Sequence, residues 1–397
     1  MSSFGKRQSF GIEPVAAIRP VRPTAAAPAA EVPPKFPLFT ATVALTLCAI
    51  FTAQFFLTDH TGVSFGYRYA VTWGGVDRHL VIDKLEWWRI FTAPWLHGSI
   101  DHLIGNIITL VVAGTVLERH IGSWWLAAVY VIGALAGSIA SIIMNDPRMV
   151  SVGASGAIIA LVVLVYALSH HVCLQAHAKR LRRVALFVLL PALAPSAAHG
   201  AAQIDVGAHC GGFLAGLAMA FLLLIIWDES ERMPGGQTFA AGAAALGIGL
   251  AAAAGMQTLS VAPLYREQSM ALAPEAVITD SEALLRDGAA LEARYPHDPM
   301  LRLALSVQAL RGRRYAEAEY HAKQGLQERA LLTEFFPHGV EYRLQAMLAI
   351  ALLGQQQFTD ALEAAAPACK DPATGSALAK MKLCSGLLKA ENQAISR

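Results

Sequence analysis

Long stretches without any Asp, Glu, Lys or Arg dominate the first two thirds of the chain. About 20 apolar residues cross the roughly 30 Å hydrocarbon core of a bilayer, with about 17 as a lower limit. Six stretches exceed that limit, and the second does so if its helix includes the polar residues just before it. The pattern predicts seven transmembrane helices, within residues 36–58, 102–117, 120–145, 149–178, 184–204, 206–227 and 233–265.

Positive charges predict how these helices are oriented. Lys and Arg are concentrated in the N-terminal tail and at residues 179–183, after the fourth predicted span. These two places lie on one side if the helices alternate, and the positive-inside rule makes that side cytoplasmic. Residues 1–36, rich in Pro and Ala, are predicted to be a disordered cytoplasmic tail. With seven spans, the C-terminus is expected to be extracytoplasmic.

The chain changes character after the last apolar stretch. A turn and the seventh helix are expected at residues 228–259, and residues 260–397 have the charged, Ala- and Leu-rich composition of amphipathic helices. Within them the segment GRRYAEA is followed by a similar segment, GQQQFTDA. Their aromatic residues, Tyr315 and Phe358, lie 43 residues apart. This resembles the tetratricopeptide pattern, whose usual period is about 34, with an insertion near residues 332–339. A generic helical bundle is the alternative.

Composition narrows the class further. Hydrophobic residues make up 55% and charged residues only 15% of the 397 residues, against roughly 25% charged in average proteins. The net charge of +2 and the lack of a basic, aromatic-rich stretch argue against nucleic-acid binding. Five cysteines without a CxxC spacing exclude a zinc ribbon and a disulfide-framework mini-protein. The sequence therefore predicts an all-α polytopic membrane protein with a second helical domain.

Four polar residues within the predicted spans are candidates for chemistry, because such residues are costly in a bilayer. His102 and Asn106 lie in the second span, Ser155 in the fourth and His209 in the sixth. All three spans run inward from the outer face, and Ser155 is expected about 10 Å along its helix. The four side chains are therefore predicted to share one depth in the outer half of the membrane.

These residue types fit nucleophilic catalysis. An imidazole can take the proton of a serine hydroxyl, and Asn, His and backbone N–H groups can stabilise an oxyanion. Asp205 is expected in a loop, so the pattern predicts a Ser155–His209 dyad. Taken singly, each residue could instead serve helix packing or interhelical hydrogen bonding. A zinc site of His97, His102 and His209 is a further alternative, although no HExxH helix is present; no cofactor or metal is expected.

Three segments carry a resemblance to a known family. TAPWLHGSIDHLIGNIITL, GASGAIIAL and GAHCGGFLAGLAMAF resemble, in order, the signature segments of rhomboid intramembrane serine proteases. The resemblance covers residues 37–227 and implies a six-helix core, to which the seventh span and the repeat domain are additions. It implies Ser155 as nucleophile, His209 as general base and acid, and His102 and Asn106, with the Ser155 N–H, as the oxyanion hole.

The resemblance also assigns supporting roles. It makes His97 structural, relates two residue pairs to the family's first outer loop and to the inner end of its second span, and relates Gly212 and Gly216 to close approach of the sixth and fourth helices. Ile159 departs from the family, which often has there an aromatic residue against the catalytic imidazole. The supporting residues are Trp88, Arg89, Glu118, Arg119, Gly153, Gly156, Gly212 and Gly216.

The expected function is hydrolysis of peptide bonds in or near transmembrane helices of other proteins, with the lipid bilayer as its setting. The alternative is a catalytically idle relative that binds client proteins through its repeat domain. The resemblance suggests a bacterial inner-membrane protein. Cys369 and Cys384, 15 residues apart, form a disulfide if that domain faces an oxidising compartment; two unrelated thiols are the other reading.

Overall fold

A computed structural model of the chain describes residues 36–57, 67–146, 149–170, 177–194, 204–228, 230–270, 272–273, 277–278, 280–336 and 339–384. The predicted disordered tail lies outside the described residues, except for Phe36.

The described residues form an all-α polytopic bundle. In the first two thirds of the chain, helices overlap each of the seven uncharged stretches. Four of them are long and apolar enough to cross a bilayer: α1, α5, α8 and α9. The helices of this part are α1 (Leu38–Leu57), α2 (Tyr67–Thr72), α3 (Arg78–Ile82), α4 (Arg89–Thr92), α5 (Ile100–Met144), α6 (Ser155–Leu168), α7 (Ala178–Ala192), α8 (Val206–Ile226) and α9 (Gln237–Met270).

Helix α5 consists of two helices that meet at Gly122. That glycine has a φ of +82°, a left-handed conformation that other residues rarely adopt. We call residues 100–121 α5a and residues 123–144 α5b, and these overlap the second and third uncharged stretches. Gln237, at the start of α9, donates from Nε2 to the Ile121 carbonyl at 3.0 Å, so the kink is hydrogen-bonded to α9.

Two of the observed helices are shorter than the uncharged stretches in which spans were predicted. Helix α6 has 14 residues and begins at Ser155, whereas the uncharged stretch began at 149. Helix α7 has 15 residues, with its Lys and Arg residues in its first half. Helix α9 is longer than expected: it continues past residue 259 to Met270, without a break at the predicted domain boundary. The transmembrane length of each segment stays a prediction.

Small residues let α5b, α6 and α8 pack closely at the centre of the bundle. A Cβ built on Gly133 would lie 3.1 Å from the Ala157 Cα, and one on Gly137 would lie 3.1 Å from both the Gly156 Cα and the Ala208 carbonyl oxygen. Carbon atoms normally approach to about 3.5–4.0 Å. Each of these positions therefore depends on a hydrogen in place of a side chain.

The chain after α9 forms α10 (Ser281–Arg294), α11 (Pro299–Arg311), α12 (Tyr315–Gln327), α13 (Arg329–Phe335), α14 (Gly339–Gly354), α15 (Phe358–Ala365) and α16 (Pro372–Lys380). We call residues 280–384 the repeat domain. The expected recurrence at 43 residues is present in the backbone. Arg313 and Gln356 have φ of +55° and +65°, and the next residue at each place has φ −88° and ψ 72°.

The two turns also share hydrogen bonds, since the Arg314 N–H donates to the Ala309 carbonyl and the Gln357 N–H donates to the Leu352 carbonyl. Ala318 and Ala361, again 43 residues apart, are both fully buried. The two helical hairpins, α11–α12 and α14–α15, are separated by α13, which lies in the region where an insertion was expected. Membership of the tetratricopeptide family stays a prediction.

Cys369 and Cys384 are joined by a disulfide. The bridge connects the 3-10 turn Ala368–Lys370 to the turn that follows α16, so α16 lies between the two bonded cysteines.

Candidate active site

Ser155 is the first residue of α6. The sequence placed it about seven residues into a helix, and this was wrong, because residues 149–154 are not helical. Gly153 has a φ of +131°, which turns the backbone sharply just before the serine. Ala154, the N-cap, makes no side-chain capping bond. Since the first N–H groups of a helix have no partner within it, the Ser155 N–H lies at an end that favours negative charge.

His209 lies in the first turn of α8, and the structure shows what orients its ring. Its Nδ1 lies 2.7 Å from the carbonyl oxygen of Ala192, the last residue of α7. A carbonyl only accepts, so Nδ1 carries the hydrogen and Nε2 has the lone pair. A backbone carbonyl thus takes the orienting role that a carboxylate has in a Ser-His-Asp triad.

The backbones of α6 and α8 touch beside these two residues. A Cβ built on Gly212 would lie 2.8 Å from the Gly156 carbonyl carbon and 3.0 Å from its Cα. One built on Gly156 would lie 3.2 Å from the Ala208 carbonyl oxygen. Gly156 directly follows Ser155, and Ala208 and Gly212 flank His209 by one helical turn. The crossing therefore brings the serine and the histidine to the same level of the bundle.

A second close approach is between His102 and residues 151–154, the backbone segment before Ser155 that we call the nucleophile turn. A Cβ on Gly153 would lie 2.6 Å from His102 Cε1 and 2.9 Å from Nε2, so this imidazole covers the backbone two residues before Ser155. Asn106, one turn further along α5a, is buried and donates from Nδ2 to His97 Nε2 at 2.9 Å.

His97 contacts both His102 and Asn106. It is fully buried, and its ring stacks edge-on with that of His102 at 5.1 Å between centroids. Its backbone N–H also donates to Gln54 of α1. These contacts agree with a supporting rather than a reacting role. Among the residues that the structure describes, no three His, Cys, Asp or Glu side chains are grouped as a metal site requires.

Sequence reasoning missed the role of Asp205. Its carboxylate caps α8 by accepting from the Ala208 N–H at 2.6 Å, and it accepts from Ser141 Oγ at 2.9 Å and Asn145 Nδ2 at 2.6 Å at the end of α5b. Ser151, in the segment before the nucleophile, also donates to it. One carboxylate therefore joins the three segments that set the positions of Ser155 and His209. The sequence signal that could have revealed this role is the position of Asp205 at the start of a predicted helix, where Asp is a preferred capping residue.

Two further pairs from the sequence lie at the start of α4 and near the C-terminal end of α5a. Arg89 is fully buried with its guanidinium 4.6 Å from the Trp88 ring, so this pair is internal to the first loop. Glu118 is buried near the end of α5a and accepts from the Phe39 and Thr40 backbone N–H groups at 2.8 and 3.0 Å, which caps α1.

The remaining predicted positions fall on α5a and on the α6–α8 seam. Arg119, beside Glu118, is exposed. A Cβ on Gly216 would lie 2.9 Å from the Ala160 Cα, so the α6–α8 contact continues one turn beyond Gly212. Ile159, the departure from the family pattern, is buried in the core of the bundle.

Comparison with known proteins supports the rhomboid family. Residues 84–226 match the Rhomboid domain. RHOMBOID-like protein 5 of Arabidopsis thaliana is 34% identical over 155 residues, which are 38% of this chain and 48% of that protein.

Two proteins of Bacillus subtilis (strain 168) bear the name of proteases. Rhomboid protease GluP is 31% identical over 172 residues, or 43% of this chain and 32% of GluP. Putative rhomboid protease YdcA is 29% identical over 194 residues, or 48% of this chain and 90% of YdcA. The match to the plant relative spans about half the length of that protein.

Proposed function

We propose that this chain is an intramembrane serine endopeptidase that uses a Ser155–His209 dyad. The observation that carries the proposal is the crossing of α6 and α8, where the Gly156 and Gly212 backbones meet beside the two residues. The Ala192 carbonyl supports the same assignment, because it selects the tautomer with a basic Nε2.

The proposed reaction follows the chemistry of a serine protease. His209 Nε2 takes the proton of Ser155 Oγ as the oxygen attacks the scissile carbonyl carbon. The resulting imidazolium then protonates the leaving amine, and water hydrolyses the acyl-enzyme with His209 again acting as base. The oxyanion accepts hydrogen bonds from the Ser155 N–H, Asn106 and His102, aided by the positive end of α6.

Site-directed variants of the full-length protein test this directly. Ser155→Ala and His209→Ala should each abolish cleavage of a single-span substrate in detergent or liposomes. Ser169→Ala is the matched control, since Ser169 is buried at the other end of α6 and its loss should leave cleavage unchanged. Cleavage by Ser155→Ala near the wild-type rate would exclude the assignment. Binding of substrate without any cleavage by the wild type would favour the idle scaffold.

The proposed oxyanion hole has a graded test. Asn106→Ala should reduce kcat about 10²–10³-fold, as removal of one oxyanion donor does elsewhere. Chelators should have no effect, whereas inhibition by a chelator would favour the zinc alternative.

We propose transmembrane proteins as substrates, because the site lies among membrane helices. Backbone groups in a helix are already hydrogen-bonded, so a helix must unwind before its carbonyls can react. Cleavage should therefore favour small residues at the scissile bond with Gly or Pro nearby. Sequencing the cleaved ends of a substrate library tests this, and indifference to helix-breaking residues would contradict it.

The proposed location is a bacterial inner membrane, with the repeat domain outside the cytoplasm. The disulfide supports that side, because such bonds persist in oxidising compartments. We also propose a tetratricopeptide-like fold and a protein-binding role for the repeat domain. A reporter fused to the C-terminus tests the orientation, and cytoplasmic reporter activity would contradict it.

A further inference from the structure

The first loop, residues 67–99, is hydrogen-bonded to the nucleophile turn. Val76 and Ser151 exchange both backbone hydrogen bonds, at 2.9 and 2.8 Å, and the Gly153 N–H donates to the Ala93 carbonyl at 2.9 Å. These bonds hold the backbone two to four residues before Ser155. The position of the serine therefore depends on the position of the first loop.

The described part of the first loop contains only short helices, of three to six residues, which are not stable by themselves. Arg89 holds them together from the inside. Its Nη1 donates to the Val71 and Gly75 carbonyls at 2.6 and 3.1 Å, and its Nε donates to the Glu86 carboxylate at 2.5 Å. The orientation of Glu86 thus bears on the whole loop.

Tyr265, near the end of α9, contacts this arginine–carboxylate pair from outside the loop. Its hydroxyl donates to the other oxygen of Glu86 at 2.7 Å, and the Arg89 guanidinium lies 5.1 Å from the centre of its ring. Tyr265 is 8% exposed, so the contact is buried. The extension of α9 beyond the predicted end of its span is what brings this residue to the loop.

The repeat domain adds a second contact through α13, the helix in the extra residues of the repeat. Phe335 is fully buried, packs edge-on against Tyr265 at 5.8 Å, and shares a cluster with Val71 and Leu80 of the first loop. The guanidinium of Arg68, in α2, lies 5.8 Å from the Phe336 ring. The insertion in the repeat thus supports the loop and the tyrosine together.

We propose that Tyr265 is a positioning residue for Ser155, and that through it the repeat domain aligns the active site. The inference rests on the proposed protease function. The connection runs from α13 to Tyr265, then to Glu86 and Arg89, and from the first loop to the nucleophile turn. The competing interpretation is that these contacts only anchor the repeat domain.

The test measures kcat and KM for a single-span substrate with purified full-length protein. Tyr265→Phe removes only the hydroxyl and should lower kcat about tenfold with KM within twofold, the size expected for one net hydrogen bond. The rate of Ser155 labelling by a fluorophosphonate should fall in parallel, whereas the thermal midpoint should fall by no more than a few degrees, roughly 2–4 °C. Tyr320→Phe is the matched control, because Tyr320 is a half-exposed tyrosine of the repeat domain.

A double-mutant cycle with Glu86→Ala separates positioning from anchoring. If Tyr265 acts through Glu86, Tyr265→Phe should have little further effect on kcat in the Glu86→Ala background. Phe335→Ala should lower kcat in the same direction as Tyr265→Phe. Wild-type kcat in Tyr265→Phe, an equal loss in Tyr320→Phe, or fully additive effects would overturn the inference. Each of these outcomes leaves Ser155-dependent cleavage by the wild type intact, whereas its absence would overturn the proposed function itself.

Discussion

The α6–α8 crossing allows a quantitative prediction for Gly212→Ala. The added methyl carbon would lie 2.8 Å from the Gly156 carbonyl carbon and 3.0 Å from its Cα, whereas carbon atoms pack at about 3.5–4.0 Å. The nearest neighbour of the methyl carbon would be the Gly156 carbonyl oxygen, which it would overlap, so the two helices must separate by about 1 Å or more. Because His209 is on α8 and Ser155 on α6, the same shift separates base and nucleophile. A displacement of about 1 Å can cost about 10²-fold in rate, so we expect kcat to fall by that factor.

The assay compares cleavage of one single-span substrate by wild type, Gly212→Ala and Gly249→Ala. Gly249 lies on α9 with open space where a Cβ would be, so its variant should cleave at the wild-type rate. Overpacking of this kind typically costs about 1–3 kcal/mol of stability, and thermal unfolding of each variant shows whether the protein remains folded. Wild-type cleavage by Gly212→Ala, or an equal loss in Gly249→Ala, would refute the reasoning.

Three further predictions concern other parts of the structure. Asp205→Ala removes a helix cap, so we expect a loss of about 1–2 kcal/mol in stability and at least a tenfold lower kcat; unchanged cleavage would mean that its network does not position the site. Reduction of the Cys369–Cys384 bridge should destabilise the repeat domain by about 3 kcal/mol for its 15-residue separation; an alkylation mass shift together with denaturant unfolding measures this, and free labelling without reductant would contradict it. Burial lowers the pKa of His321 below 6.5, so the unfolded chain binds the proton more readily, and stability should fall as the pH drops below about 6.5; His321→Gln should weaken this pH dependence, and an unchanged profile would contradict it.

The helical fold could be predicted because its physical signal is local. Uncharged stretches of membrane length are visible directly in the sequence, and the positions of α1, α5, α8 and α9 follow from them. The 43-residue recurrence was visible for the same reason, because each turn between two helices is marked by small and aromatic residues in the sequence. Helix ends were less predictable: α6 begins only at Ser155 because tertiary bonds from Val76 and Ala93 hold the preceding segment extended.

The reacting residues of the candidate site could be predicted, but most of their supports could not. Ser155 and His209 stand out because polar side chains are rare in membrane spans. The Ala192 carbonyl that orients His209 has no side-chain signal in the sequence. Asp205 and Tyr265 act through contacts 54 to 179 residues away in the chain, which a reading of local pattern does not connect.

The most direct test of the central claim is covalent labelling of the full-length protein with a fluorophosphonate, followed by peptide mass spectrometry. The probe reacts with an activated serine hydroxyl, so it reports the nucleophile without requiring a known substrate. We expect the adduct on Ser155, with labelling lost in Ser155→Ala and strongly reduced in His209→Ala, which removes the base. An adduct on another serine, or labelling of Ser155 that is unaffected by His209→Ala, would contradict the account.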